Sequence, residues 1–295
     1  MKIFDCTTFF DEKMIMDLRF NILNEFVHKF IVVESIFSHS GKKKKLNFNI
    51  DDYPKFKDKI IYLVIENEPE GLIDGSMPAN KRFNSIKRIE QSYNYMSKGI
   101  TDALDDDLIM LSDNDEIPNL KSKQFQKSTK NLLIFRQLFF YYKFNLSYNK
   151  INWYGSRACK KKSLKSFTWL KNIKNKKYLF WRLDTCFSKL KYINLEIIDD
   201  GGWHFTNVKT PEELYIKMNN FGHHDEFELS GLTIKDIENK IKNKEVFYNH
   251  FVDKSDQNKW KSNDKLEITD DLLLPSYLLK NKIKYNNWLV KKLND

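Results

Sequence analysis

Short apolar runs and stretches with apolar residues at helical spacing alternate along the first 120 residues. Apolar runs of four to six residues are typical of buried strands, and a spacing of three to four residues is typical of amphipathic helices. Strands that alternate with helices favour an α/β fold with a mainly parallel central sheet. The predicted strands lie at 3–4, 30–33, 60–65 and 108–111, and the predicted helices span 12–26 and 81–96.

The pattern changes beyond Pro118. Aromatic, strand-like stretches at 132–146 and 151–159 predict an antiparallel pair that turns around residues 147–150. A further helix is predicted at 211–221, with Thr210 as its N-cap. From about residue 231 the chain is polar and rich in lysine, and we expect a helical C-terminal extension there.

Composition narrows the class of protein. The chain has 295 residues, of which 41% are hydrophobic, so it can bury a sizeable core. Its net charge of +10 suggests an anionic partner such as a nucleic acid, a membrane headgroup or a nucleotide diphosphate. General enrichment in lysine explains the same charge without a partner. Cys6, Cys159 and Cys186 are too few and too scattered for a disulfide framework or a zinc cluster.

The hydropathy pattern also bears on location. No stretch reaches the roughly 18 consecutive apolar residues that a membrane span needs. The N-terminus enters a predicted strand at once and has no signal-peptide pattern. From these features we expect a soluble, cytoplasmic protein.

Polar side chains follow the predicted strands of the first half. In parallel sheets, ligands bind beyond the carboxyl ends of the strands, so these residues are expected to share one site. They are Glu34, Glu66, Asn67, Asp113 and Asp115.

Two of these acids form an Asp-x-Asp motif. If strand geometry continues for two residues beyond Ser112, Asp113 and Asp115 point the same way, because side chains alternate along a strand. Two carboxylates so placed can hold Mg²⁺ or Mn²⁺, which could neutralise a diphosphate. A surface turn produces the same three residues by chance, and this alternative stays open.

A second candidate stretch spans residues 199–205, Asp-Asp-Gly-Gly-Trp-His-Phe. Its two glycines permit close backbone approach to a ligand. Trp203 offers a flat face for a sugar ring, and His204 could be a metal ligand through its neutral imidazole. Asp199 or Asp200 could act as a base. A structured turn with a packed Trp and a buried His is the alternative.

Three further groups of residues are candidates for metal binding, catalysis or the binding of an anionic ligand. The cluster 223–226 (His-His-Asp-Glu) could contain a metal ligand or a general acid or base, or it could be a polar loop. Arg82 and Arg88, on the helix before the acidic strand, could reach a diphosphate or lie on a solvated face. Lysines interleaved with aromatic residues at 160–177 favour an alternative function, a basic nucleic-acid-binding module.

Taken together, these stretches resemble glycosyltransferase family 17, the family of the β-1,4-mannosyl-glycoprotein 4-β-N-acetylglucosaminyltransferase. The resemblance implies a GT-A-like nucleotide-sugar-binding fold and inverting transfer of N-acetylglucosamine from UDP. It implies a catalytic domain at 1–230, with a nucleotide-sugar half (1–120) and an acceptor half (121–230), and the extension at 231–295. The stretches that carry it occur in family order at 3–12, 30–34, 112–118, 201–205, 217–226 and 274–278.

The resemblance makes Asp113 and Asp115 the Mn²⁺ or Mg²⁺ pair, and we expect His204 to complete the coordination. The first choice for the base is Asp200, followed by Glu226 and Asp199. The expected acceptor is a glycan, a polysaccharide or a glycolipid, with no nucleic-acid partner. A nucleotidyltransferase or nucleotide-sugar hydrolase is a further alternative. Expected donor or sugar contacts are Asp5, Glu34, Arg82, Arg88, Asn114, Trp153 and Trp203.

Overall fold

The computed structural model describes residues 1–179, 181–252 and 259–291. Within these residues the strands are β1 (Ile3–Thr8), β2 (Lys29–Ser35), β3 (Ile60–Ile65), β4 (Leu108–Ser112), β5 (Glu116–Pro118), β6 (Leu132–Tyr141), β7 (Leu146–Ser147), β8 (Trp153–Lys160), β9 (Leu195–Ile198), β10 (Gly202–Thr206) and β11 (Glu267–Ile268). The α-helices are α1 (Lys13–Leu23), α2 (Pro78–Tyr95), α3 (Lys123–Lys127), α4 (Phe167–Asn172), α5 (Pro211–Met218), α6 (His224–Ser230), α7 (Ile234–Lys242) and α8 (Ser276–Lys280).

The first half forms the parallel layer that the sequence predicts. Four strands lie side by side in the order β3-β2-β1-β4, and all three pairings between them are parallel. The central residues of β1, β2 and β4 are buried because helices cover both faces of such a layer, whereas those of the edge strand β3 are half-buried. The carboxyl ends of β1, β2 and β4 therefore meet at one edge of the sheet.

The second half continues the same sheet in mixed orientation. β8 pairs antiparallel with β4, and β6 pairs antiparallel with β8, which confirms the predicted antiparallel pair. β9 and β10 both run parallel to β6 at its far side. β5, which follows the Asp-x-Asp motif, pairs antiparallel with β10. The predicted α/β class is thus confirmed, but the large central sheet is partly antiparallel, whereas the sequence predicted a mainly parallel one.

The apolar side chains pack in three clusters. One lies under α1 on one face of the parallel layer, and a second lies on the opposite face with α4. The third joins β6 to α5, α6 and α7. Leu278 of α8 belongs to the first cluster, so the C-terminal part of the chain packs onto the sheet at two places. Within the described residues this part contains two α-helices, three short 3-10 helices and β11, and it is less helical than predicted.

Local capping explains where α5 begins. The Thr210 hydroxyl accepts a hydrogen bond from the Glu213 backbone amide, and the Glu213 carboxylate accepts one from the Thr210 amide. This reciprocal capping box satisfies two amides of the first helical turn. Pro211 occupies the first helical position, where no amide hydrogen bond is needed. None of the helices in the described part of the chain is long and apolar enough to cross a membrane.

Candidate active site

A cavity of about 420 Å³ opens at the carboxyl ends of β1, β2 and β4. This position matches the edge where ligands bind in open α/β sheets. Charged side chains of both signs line it together with aromatic rings. The charged and titratable ones are Glu12, His39, Lys44, Arg82, Arg88, Tyr93, Asp113, Asp115, His204, Lys217, His223 and Tyr248.

The Asp-x-Asp motif forms a tight turn rather than an extension of β4. The strand ends at Ser112, and the Glu116 amide donates to the Asp113 carbonyl at 3.0 Å. The expectation that strand alternation aligns the two carboxylates is therefore wrong. The turn nevertheless directs Asp113 and Asp115 into the same cavity. The buried Glu116 carboxylate supports the turn by accepting the Asp113 amide at 2.9 Å.

Asp113 has two protein partners at the cavity wall. Tyr93 donates its hydroxyl to Oδ1 at 2.7 Å, and Lys171 Nζ lies 3.0 Å from Oδ2. Burial disfavours the charged carboxylate, but Lys171 and Tyr93 together hold the pKa of Asp113 below its usual value. The same contacts raise the pKa of Lys171, despite its burial. Both groups of this pair are therefore charged at neutral pH.

Asp115 lies deeper and is paired in the same manner. His204 Nε2 is 3.4 Å from its Oδ1, and Lys217 Nζ is 3.6 Å from its Oδ2. Burial opposes ionisation, yet the neighbouring His204 and Lys217 hold the pKa of Asp115 well below its usual range. Lys217 in turn has a raised pKa because it lies among carboxylates.

Glu12 extends this charge network to the start of α1. It accepts a hydrogen bond from the Asn114 side-chain amide, and its Oε1 lies 3.9 Å from Lys217 Nζ. Burial opposes its ionisation, but Lys209 and Lys217 lower the pKa of Glu12. Lys217 is thus shared between the carboxylates of Glu12 and Asp115.

Sequence reasoning missed several members of this network, among them Glu12, Lys171 and Lys217. Glu12 could have been found, since it follows the strand that neighbours β4 and stands next to another acid. Lys171 and Lys217 had no usable signal, because single lysines on amphipathic segments are usually solvated.

An aromatic wall stands beside the carboxylates. The Trp153 ring stacks on His204 with a centroid distance of 4.4 Å and an interplanar angle of 22°. Trp153 also donates its indole N–H to Glu116 Oε1 at 3.0 Å, which links the wall to the Asp113 turn. Trp153 lines a second cavity of about 510 Å³ as well, so it borders both cavities. His204 Nδ1 is buried and has no hydrogen-bond partner among the described residues.

Both candidate arginines line the cavity, and both contact other protein groups. Arg88 forms a bidentate ion pair with Glu68, through Nε at 2.7 Å and Nη2 at 2.9 Å. Arg82 donates to the Gly222 carbonyl at the turn before α6. Arg82 therefore places a positive charge at the cavity wall, whereas Glu68 offsets the charge of Arg88.

Two of the expected donor contacts lie outside the cavity. Asp5 is fully buried and paired bidentately with Arg19 beneath the sheet edge. Glu34 is fully buried too, and it accepts the backbone amides of Asn47 and Phe48 at 2.8 and 3.0 Å. Both carboxylates have a structural role: each links separate segments of the chain near the site. Their charges are buried, and these partners offset the free-energy cost of that burial. Neither Asp5 nor Glu34 lines the cavity, so the structure does not support a contact of either with a nucleotide.

The direction of β10 separates the residues expected from 199–205. Thr206, at the carboxyl end of β10, lines the cavity, whereas Asp199 and Asp200 precede its amino end beside Pro118. Asp200 accepts a hydrogen bond from the Asn119 side chain at 2.9 Å and is exposed. The structure therefore does not bring the first-choice base or Asp199 into the cavity.

Alternation along β10 separates Trp203 from His204. Trp203 points away from the cavity and donates its indole N–H to the Leu273 carbonyl at 2.7 Å. The two glycines approach backbone rather than a ligand. A Cβ on Gly201 would meet the Arg136 carbonyl oxygen at 2.5 Å, and Gly202, with φ +110°, packs against the backbone of β5.

Glu226 does not line the cavity itself, but it contacts His223, which does. Its Oε1 contacts His223 Nδ1 at 2.5 Å, and its Oε2 pairs with Lys259. Burial opposes ionisation, but Lys259 and His223 lower the pKa of Glu226. His223 itself lines the cavity.

The lysine-rich stretch that suggested a nucleic-acid-binding module looks different in three dimensions. Phe167, Trp169 and Leu170 are buried in the second apolar cluster. Base stacking needs exposed aromatic faces, so these residues do not provide the binding surface that motivated this alternative.

Fold and site together define an α/β protein with a polar, charge-lined cavity at its strand ends. Comparison with known families then identifies the chain as a member of glycosyltransferase family 17, which it matches over residues 1–291. The resemblance seen in the sequence is thereby confirmed, and the protein is a glycosyltransferase.

The chain was also compared with curated proteins and with solved structures. No curated protein matches the chain. Similar solved structures include HddC from Yersinia pseudotuberculosis complexed with GMP-PN, with 12% identity, a TM-score of 0.36, and coverage of 73% of this chain and 97% of that one. A second HddC structure has 12% identity, a TM-score of 0.32, and coverage of 67% and 90%. Similarity this low supports no statement about substrate or mechanism.

Proposed function

We propose that the protein transfers an N-acetylglucosamine-like sugar from UDP to a hydroxyl of a glycan, polysaccharide or glycolipid, with inversion at the anomeric carbon. The observation that carries the proposal is the convergence of Asp113 and Asp115 on one cavity at the strand ends of a family 17 chain. The choice of a UDP-linked donor comes from the resemblance of the sequence motifs to that family.

The charges of the cavity suit a diphosphate. Lys44, Lys217, Arg82 and Arg88 line it, and fixed cations stabilise the negative charge that grows on a departing phosphate. Lys217 is the most direct candidate, since it lies between two carboxylates at the centre of the site. A diphosphate oxygen near Lys217 would take over part of its contact with Asp115.

The residues present fit a divalent cation that is shared with the donor. Among the described residues, no group of three or more His, Cys, Asp or Glu side chains is arranged to hold a metal by itself. Mg²⁺, however, is usually bound through one or two carboxylates together with substrate phosphates. Asp113 and Asp115, kept ionised by their lysine partners, would supply such carboxylates, and His204 is adjacent. When bound, the cation would act as a Lewis acid toward the diphosphate.

A base must remove the proton of the acceptor hydroxyl in a one-step inversion. We propose that His223 takes this proton, with Glu226 as the positioning residue that orients its ring. Because Glu226 Oε1 contacts His223 Nδ1, the neutral ring carries its proton on Nδ1 and Nε2 is its basic nitrogen, as in other carboxylate-oriented histidines. Lys259 keeps Glu226 charged for this role.

The decisive experiment measures UDP release from UDP-N-acetylglucosamine with purified Asp115→Asn protein, with and without Mn²⁺. We expect a loss of activity of at least about 100-fold, the usual effect of removing a group that stabilises the transition state. Asp200→Asn is the matched control, because Asp200 is exposed and lies outside the cavity, and it should retain activity. Full activity of the Asp115→Asn variant would overturn the proposal.

The same assay tests the base through its pH dependence. Glu226→Gln removes the charge that orients His223, so the acidic limb of the profile of kcat against pH should move and kcat should fall. A purely structural role would lower the amount of folded enzyme without moving the profile. An unchanged profile together with an unchanged kcat would exclude the His223–Glu226 pair.

A further inference from the structure

A loop on the surface next to the site combines exposed apolar side chains with basic ones. We call residues 174–179 and 181–191, between α4 and β9, the basic loop. Its apolar side chains are unusually exposed for a folded protein, with Leu179 at 57%, Leu183 at 75% and Phe187 at 91%. The loop carries six basic residues and one acidic residue, Asp184. Exposed apolar residues grouped in this way mark an interaction surface.

The basic loop is closed at its base by backbone and side-chain hydrogen bonds. The Lys174 amide donates to the Leu190 carbonyl at 2.9 Å, which joins its two ends. Trp169 of α4 donates its indole N–H to the Lys189 carbonyl at 2.9 Å and anchors the loop to the core. Within the loop, Asp184 pairs with both Arg182 and Lys191 at 2.7 Å. The loop therefore holds its apolar side chains outward on a fixed base.

We propose that the basic loop docks onto an anionic lipid bilayer. Its remaining lysines, Lys174, Lys176, Lys177 and Lys189, provide a positive charge that anionic headgroups attract. Its aromatic and aliphatic side chains match those that enter the boundary between headgroups and acyl chains. Exposed aliphatic residues such as Leu179 and Leu183 gain free energy in a bilayer, whereas they add nothing to the stacking of nucleic-acid bases.

The basic loop lies close to the candidate active site. Asn175 lines the second cavity, which shares the Trp153 ring with the site cavity. Lys171, three residues before the loop begins, contacts Asp113. A bilayer bound at the loop would thus lie near the side of the site where Lys171 contacts Asp113, which suits an acceptor anchored in lipid. This last step rests on the proposed function, whereas the docking itself does not.

Vesicle co-sedimentation of the full chain tests the docking without any measurement of catalysis. We expect binding to vesicles of phosphatidylcholine mixed with phosphatidylglycerol, weaker binding to phosphatidylcholine alone, and a decrease in binding as salt screens the charges. The double variant Leu183→Ser/Phe187→Ser should lower vesicle affinity by at least about tenfold, since it removes two apolar anchors. Circular dichroism confirms that the variant is folded.

The matched control is Leu272→Ser/Ile283→Ser, which removes two apolar side chains exposed by 89% and 95% elsewhere on the surface. This control should bind vesicles as the wild type does. The proposal is overturned if the wild type stays in the supernatant with anionic vesicles, or if the loop variant and the control bind equally well. Binding of a single-stranded oligonucleotide that the loop variant loses, without vesicle binding, would assign the surface to nucleic acid instead.

Discussion

At the scale of single residues, lysines hold the acidic motif in its charged form. Asp113 and Asp115 each have a lysine within 3.6 Å, and both carboxylates have a lowered pKa despite their burial. Without those lysines, burial would favour the neutral acids and weaken the attraction for any cation. The pairs also explain how two acids can remain in one cavity before a donor binds.

The buried pair of Asp5 and Arg19 gives a prediction about stability. Arg19→Met leaves the Asp5 charge buried without a partner, which should lower the free energy of unfolding by about 3–5 kcal/mol. The double variant Asp5→Leu/Arg19→Met should recover most of that loss, because it removes both charges and keeps apolar volume. Urea unfolding measures both values. A loss below about 1 kcal/mol for Arg19→Met would contradict the structural role given to Asp5.

At the scale of elements, β10 shows how strand direction assigns roles. The predicted base Asp200 precedes its amino end, its middle carries His204, and its carboxyl end reaches the cavity. The direction of a strand in a sheet depends on its pairing with β6 and β5, which lie far away in sequence. For that reason the motif at 199–205 could be recognised in the sequence, but the sequence could not show which of its residues lines the cavity.

The glycine in β8 is predicted to be essential for the support of the acidic turn. A Cβ at Gly155 would meet the Gln137 side chain, and it would lie 2.8 Å from Glu116 Cδ and 2.9 Å from Trp153 Nε1. Gly155→Ala should therefore lower the free energy of unfolding by about 1–3 kcal/mol, the usual effect of overpacking. Activity should fall as well, because Glu116 accepts the Asp113 amide.

Gly75→Ala is the matched control for this prediction. Its Cβ would have no neighbour nearer than 4.0 Å, so stability and activity should stay close to the wild-type values. Thermal unfolding and the UDP-release assay measure the two effects side by side. Equal behaviour of the two alanine variants would show that the contacts of Gly155 do not support the turn.

At the scale of the whole molecule, the site joins distant parts of the chain. The cavity takes side chains from the parallel half, from β10 and α5, and from Tyr248 beyond α7. The third apolar cluster fixes these later segments against β6, so the site depends on their packing as well as on the sheet. Burial of titratable groups is one consequence, and it makes stability depend on pH.

Two histidines predict the direction of this dependence. Burial lowers the pKa of His39 and of His250 to about 4, from an ordinary value of 6.5. Between these values the unfolded chain binds more protons than the folded one, so the free energy of unfolding falls as pH decreases from 6.5 to about 4. We expect a loss on the order of 3 kcal/mol for each histidine over this range.

Thermal unfolding at a series of pH values checks this expectation. His250→Gln keeps a polar side chain near Tyr141, which His250 Nε2 contacts at 2.5 Å, but removes one titrating group. The melting temperature of this variant should fall less steeply than that of the wild type as pH decreases toward 4. A slope identical to that of the wild type would show that His250 does not titrate in this range.

Much of the fold was accessible to sequence reasoning. The strand at Ile60–Ile65 was predicted with its observed bounds, and β1, β2 and β4 were each located to within a few residues. These elements are set by local hydrophobic periodicity, which the sequence displays directly. Shorter pieces such as β7 and β11 went unpredicted, because two-residue strands have no periodicity and form only where a partner strand is available.

By itself, the sequence determined the alternation of strands and helices, the acidic motif after the fourth strand and the family to which the chain belongs. Each of these depends on the types and spacing of residues that are close in sequence, and tertiary contacts do not change that spacing. Only the tertiary structure decided that Asp5 is buried against Arg19, that Asp200 lies outside the cavity, and that lysines from α4 and α5 meet the acids. Such pairings depend on strand direction and helix packing, because they join residues separated by tens to hundreds of positions.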